Sequence, residues 1–73
     1  MTRYHLFGWD SYESERYIDS FDDEETARNF ASNDTNKFDF YGLYIDFGSG
    51  QMNRDQWAER KAGKVHWHNK QQL

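Results

Sequence analysis

Apolar and polar side chains alternate along most of this chain, and the one stretch that breaks the alternation takes a helical spacing instead. Residues 3–9 (RYHLFGW) place Tyr4, Leu6 and Gly8 on one side and His5, Phe7 and Trp9 on the other. This predicts a strand, but both sides carry apolar bulk, so periodicity does not choose a buried face. A polar, turn-like stretch at 10–14 leads into a second short strand at 15–21 (ERYIDSF), with Tyr17 and Phe21 on one side and Ile18 on the other. Two strands joined by so short a polar link predict a hairpin.

The spacing then changes. Asp22 is placed to cap a helix, and Glu25 follows three residues later in the position of a capping box. Asp23, Glu24 and Glu25 fall in the first turn, where carboxylates interact well with the helix dipole. Ala27, Phe30 and Ala31 form a narrow apolar stripe at i, i+3 and i+4. The small alanines allow such a helix to lie close on a sheet, and Asn33-Asp34 ends it.

The strongest strand signal is 38–47 (FDFYGLYIDF). Tyr41, Leu43, Ile45 and Phe47 form the alternating set expected in the core, with Phe40, Gly42, Tyr44 and Asp46 opposite. After a turn at 48–50, residues 51–61 (QMNRDQWAERK) admit two readings. The preferred one is a strand that continues through a hairpin at Ala62-Gly63 into 64–68 (KVHWH). The other is a short helix capped by Asn53 and Gln56, with Trp57 facing the sheet. The end, 69–73, is expected to fray. The predicted class is α+β. The expectation is a small antiparallel sheet of four to five strands with one helix packed on one face, in the order β-β-α-β-β-β, as a single domain over 1–73. Its second face is left open, which antiparallel sheets tolerate.

Composition alters this picture in one respect. Six Phe, five Tyr and three Trp make 19% of the 73 residues, whereas Leu, Ile and Val together supply six. A chain this short buries only about 60% of the surface its unfolded form exposes, so the expectation is a core built from rings. There is no cysteine, which excludes disulfides and thiolate zinc sites. No apolar run approaches the ~20 residues of a membrane span, and the first residues lack the apolar stretch of a secretory signal. A cytoplasmic protein is expected. The net charge of −4 is unevenly divided: residues 1–50 carry −7 and residues 51–73 carry +3. Such asymmetry marks candidate electrostatic surfaces. An acidic main body argues against direct nucleic-acid binding, which needs cations to displace phosphate counterions.

No arrangement of residues points to catalysis. Asp19, Asp22, Asp23, Glu24 and Glu25 crowd one place, but acid–base chemistry needs a carboxyl group held in apolar surroundings, and helix capping accounts for this cluster. The spacing does not match a calcium loop. His66 and His68 share one side of a predicted strand, with no acid beside them in sequence, and His5 is the third histidine. They read as solvent-facing polar residues rather than metal ligands. Gly48-Ser49-Gly50 lacks the Lys and helix of a phosphate loop. Hence no enzyme activity, metal or cofactor is expected.

Binding residues are expected instead. A thin layer with one helix cannot hide fourteen rings, and Trp9, Tyr12, Tyr44, Trp57 and Trp67 are the candidates left over as interface anchors. Alternatively, Trp57 and Trp67 close a second small core. Arg54, Arg60, Lys61 and Lys64 beside these rings form the alternative, a surface on which single-stranded nucleic acid could stack. A homo-oligomer that buries the open sheet face against itself is a third reading.

The Asp-Asp-Glu-Glu-Thr-Ala-Arg helix start (residues 22–28), the Tyr-Gly-Leu-Tyr-Ile strand (41–45) and the Trp-rich basic end resemble small proteins carried by phages and mobile elements. Anti-CRISPR proteins are one such group. The resemblance is one of size, plan and style, and it carries over no residue roles. It implies a non-enzymatic inhibitor in the host cytoplasm that docks on a nucleic-acid-binding effector such as a CRISPR nuclease complex. The acidic patch would compete for a basic groove, with the aromatics as anchors.

Overall fold

Both sides of the alternation in residues 3–9 are used. In the computed structural model, which describes residues 2–48 and 50–69, β1 (Arg3–Trp9) pairs with β2 (Arg16–Phe21) and also with β3 (Phe40–Asp46). β3 then pairs with β4 (Met52–Lys61), and β4 with β5 (Lys64–Asn69). The sheet order is β2-β1-β3-β4-β5, antiparallel throughout. Among the described residues there is one helix, α1 (Glu24–Ser32), between β2 and β3 in the chain. The class is therefore α+β.

Residues 51–61 form a strand over nearly their whole length, not a helix. The reason lies in the turn that follows. Ala62 and Gly63 have φ of 51° and 78°, and two positive φ values in a two-residue loop produce the hairpin twist that strands need. Asn69, expected to begin a frayed end, is paired with Gln56 at the close of β5. Residues 70–73 lie outside the described residues.

The register divides the strand residues into two sets. Leu6 lies opposite Leu43, which lies opposite Gln56; Gly8 lies opposite Tyr41, which lies opposite Ala58. Leu6, Leu43, Tyr41 and Ala58 form a buried cluster with Ala27, Ala31 and Phe38, and Tyr4, Ile18, Phe21, Val65 and Trp67 pack against it. α1 contacts β1, β2 and β5. Its Glu24 accepts a hydrogen bond from Gln56, and Arg28 lies 5.5 Å from the Trp67 ring centre. The centre of the core is thus leucine and alanine more than rings. Rings still supply much of the core: Phe38 and Tyr41 are buried in it, and Tyr4, Phe21 and Trp67 pack against it. Alanines let backbone approach backbone, so a few aliphatic side chains suffice at the centre.

Four local expectations also change. The N-cap is Asp23, not Asp22: Asp23 accepts from the Thr26 backbone N–H at 2.8 Å and from its hydroxyl at 2.9 Å, while Asp22 is taken by Arg3. Phe30 is 41% exposed. It lies one step around the helix from Ala27 and Ala31 and rests on Phe21, ring centres 5.4 Å apart. β3 is shorter than predicted at both ends. Phe38 turns inward before it, and Phe47 is exposed after it, where the Gly48 N–H bonds the Asp46 carboxylate at 2.8 Å and ends the strand. Phe38 needs Gly8 beneath it, since a Cβ on Gly8 would stand 2.5 Å from the ring.

The fourth change is a pair of irregularities in register. β2 shifts between the partners of Leu6 and Phe7, which face Asp19 and Tyr17, so Ile18 is the extra residue. Ile18 and Phe21 therefore both reach the core, whereas simple alternation separates them. In β4, Leu43 faces Gln56 but Tyr44 faces Arg54, leaving Asp55 extra. A bulge of this kind re-aims the side chains beyond it. It puts Arg54 and Trp57, three residues apart, on the same side.

Candidate functional site

That side is the second set of strand residues, and it is lined with rings. Phe7 lies opposite Gly42, which lies opposite Trp57; His5 lies opposite Tyr44, which lies opposite Arg54. Tyr17 meets Phe7 edge-on at 5.3 Å between ring centres, and Phe7 meets Tyr44 edge-on at 4.9 Å. Trp9 stacks on Phe40 at 5.7 Å, and Trp57 stacks on His68 at 4.6 Å. Edge-on and offset stacks of this kind are the arrangements that ring quadrupoles favour.

Gly42 makes the arrangement fit. A Cβ there would stand 3.2 Å from Trp9 and 3.4 Å from Tyr44, so the missing side chain is the space into which these two rings lean. The Arg54 guanidinium lies 5.4 Å from the Trp9 centre and 5.3 Å from the Tyr44 centre. It donates to the Tyr44 hydroxyl at 2.8 Å and pairs with Glu15. Tyr44 in turn donates to the Glu15 carboxylate at 3.1 Å. One cation is thus held between two π faces and a carboxylate.

Carboxylates punctuate the same side. Asp46 lies 3.4 Å from His5 Nε2 and has its pKa held below the ordinary value, first by the Gly48 N–H and then by His5. Glu59 is also lowered, chiefly by its hydrogen bond from Lys61, 2.8 Å away. It approaches His68 at 3.8 Å and lies opposite His66 in the register. The histidines are therefore not all plain solvent-facing residues. His5 and His68 are half-buried, and the acid missing beside His66 and His68 in sequence arrives from β4. Among the described residues no group of three or more His, Cys, Asp or Glu side chains is placed to hold a metal ion.

The five expected aromatic anchors divide. Trp9, Tyr44 and Trp57 belong to the ring-lined side. Trp67 packs against the core beneath Arg28 instead, and Tyr12 is fully exposed in the turn between β1 and β2, at φ 72°. Phe7, Tyr17, Phe40 and Gly42 join the site without having been candidates. Their signal was present: β1 and β3 are apolar on both sides, so one apolar set had to lie off the main core.

The acidic residues are mostly occupied. Asp22 pairs with Arg3, Asp23 caps α1, and Glu24 is held by Gln56 and lies 3.7 Å from Arg28. The bonds from Thr26 keep the Asp23 pKa below its ordinary value. Asp19 accepts from the Ser20 N–H at 2.8 Å. The Glu25 side chain is exposed and makes no hydrogen bond or ion pair among the described residues. The basic candidates are similarly engaged: Arg54 by Glu15, Lys61 by Glu59, and Arg60 by the Phe38 carbonyl at 3.1 Å and the Tyr41 hydroxyl at 3.3 Å. Lys64 is exposed. No helix among the described residues is long and apolar enough to cross a membrane. No known protein family, curated protein or solved structure matches this chain.

Proposed function

We propose that the protein is a non-enzymatic binding module that recognises a basic protein surface through the ring-lined side of its sheet. We infer that α1 covers the Leu6–Leu43 side and leaves the Phe7–Gly42–Trp57 side for the partner. The observation that carries the reading is the ring network itself. It joins Tyr17, Phe7 and Tyr44, crosses by way of Arg54 to Trp9 and Phe40, and has Trp57 stacked on His68 as a separate pair on the same side; Tyr17 remains 55% exposed at its margin. Half-buried Tyr and Trp with polar tips are the usual anchors of protein interfaces. Arg54 already fills the space between these rings and Glu15, so a cationic partner is drawn by the net negative charge of the chain and not into that clamp. The acidic chain adds electrostatic attraction, which speeds encounter. A basic nucleic-acid-binding effector, as the anti-CRISPR-like plan implies, is the kind of partner this chemistry suits.

Nucleic acid itself is the weaker reading, since Arg54, Arg60 and Lys61 are spent on internal partners. The test is capture of a bacterial partner on immobilised protein, followed by binding kinetics with the identified protein. Tyr17→Ala and Trp9→Ala are expected to speed dissociation, and Glu25→Lys to slow association at low salt. Unchanged kinetics in the ring variants, or a steeply salt-dependent gel shift with DNA or RNA in place of a protein partner, refutes the proposal.

A further inference from the structure

We propose that β5 is a second docking element, whose free edge takes an extended acidic segment of another protein as a sixth strand. The backbone edge of β5 is distinct from the ring-lined face, to which its His68 side chain contributes. β2 and β5 both end the sheet, yet the two edges are unlike. β2 is broken by the extra residue Ile18, whereas β5 pairs with β4 in unbroken register from Lys64 opposite Lys61 to Asn69 opposite Gln56. The tight turn at Ala62-Gly63 makes Lys61 and Lys64 a hydrogen-bonded pair, so in this antiparallel ladder Lys64, His66 and His68 bond inward. Val65 and Trp67 then turn their backbone N–H and C=O outward. Among the described residues no loop, turn or side chain bonds the backbone of either.

Proteins guard such edges with bulges, prolines or charges. β5 (KVHWHN) has neither bulge nor proline, and its one guard is Lys64. That charge selects the occupant. Lys61 is neutralised by Glu59 at 2.8 Å, but no carboxylate among the described residues pairs with Lys64. A strand carrying Asp or Glu supplies the missing partner. A second copy does not, because its β5 holds no acid and its β2 edge is bulged. One side chain of β5 adds to this: the Trp67 indole nitrogen is buried on the core side without a hydrogen-bond partner. An indole N–H can only donate, so what completes it is an acceptor.

The test uses the isotope-labelled protein and three short probes at up to millimolar concentration. They are an alternating Glu-Val peptide, an alternating Lys-Val peptide, and the Glu-Val peptide N-methylated at every other residue. The Glu-Val peptide is expected to shift the amides of Val65 and Trp67 and to slow their hydrogen exchange. The Lys-Val peptide should bind about fivefold more weakly, the scale of one exposed ion pair, and the N-methylated peptide should not bind. Lys64→Glu should reverse the order of the two charged peptides; the comparison on the unmodified protein holds even if that variant fails to fold. The proposal is overturned if the Glu-Val peptide does not bind, or if the Lys-Val peptide binds as well. Shifts confined to β2 or to the ring-lined side also overturn it. So does concentration-dependent protection of Val65 and Trp67 in the protein alone, which identifies a second copy as the occupant.

Discussion

The two sets of alternating residues in this sheet are built from similar sequence and held by different means. Leu6, Tyr41, Leu43 and Ala58 are fully buried, each at 0% exposure, in one cluster with two alanines of α1. Phe7, Trp9, Phe40, Tyr44 and Trp57 are only half-buried, and in the contacts described above they are shielded chiefly by one another and by Arg54. The first set is small and seals completely. The second is larger in apolar area but stays partly in water. Ring size therefore does not decide where the core lies; the ability to exclude water together with another element does.

The largest expected effect tests that contrast directly. Leu43→Ala removes a sealed side chain and leaves a cavity, and should cost about 3 kcal/mol in denaturant unfolding. Tyr17→Ala, on the exposed margin of the ring network, should cost under about 1 kcal/mol. Equal losses for the two variants would mean that the rings are a second core and not a surface.

A smaller effect is expected where the ring-lined side is tightest. Gly42→Ala places a methyl group 3.2 Å from Trp9, and crowding of this kind should cost about 1–2 kcal/mol. The change should appear in tryptophan fluorescence before any loss of fold, because Trp9 must lift away from the strand. An unaltered emission spectrum would show that the rings do not depend on the space above Gly42.

The smallest effect concerns the acidic helix start, and its direction follows from the cap. The Asp23 carboxyl has its pKa held below the ordinary value in the folded protein, first by the Thr26 backbone N–H and then by the Thr26 hydroxyl. A depressed pKa means that the cap's contribution is present above that value and is lost as pH falls through the folded pKa. Asp23→Asn should therefore flatten the acid side of the stability profile below about pH 4 while leaving the alkaline side unchanged. An identical acid limb in wild type and variant would assign the loss to other carboxylates.

Much of the fold was legible because its signals are local. The helix start, the turn at Ala62-Gly63 and the alternation in β1, β3 and β5 depend on a few adjacent residues. The site was legible only in part. Trp9, Tyr44 and Trp57 stood out as surplus rings, but Phe7, Tyr17, Phe40 and Gly42 did not, and Trp67 went to the opposite side. Phe7, Phe40 and Gly42 lie on β1 and β3, whose pairing is unbroken and whose two apolar sides left the choice open, whereas the side taken by Tyr17 and by Arg54 traces to Ile18 and Asp55. Each adds one residue to a strand and re-aims the side chains beyond it, and no composition rule marks either one.

By itself the sequence determined the periods, the turns, the neighbourhood of the helix start and the surplus of aromatic residues over what one small core can hold, while the cap went to Asp23 because Arg3 takes Asp22. Tertiary structure alone decided that Leu6, Tyr41, Leu43 and Ala58 are buried in one cluster with Ala27 and Ala31. It also decided that Phe38 fills the space above Gly8 and that Arg54 crosses to lie between Trp9 and Tyr44. The physical reason is that alternation is set residue by residue along a strand. The choice of side is made by partners distant in the chain, through water exclusion and register.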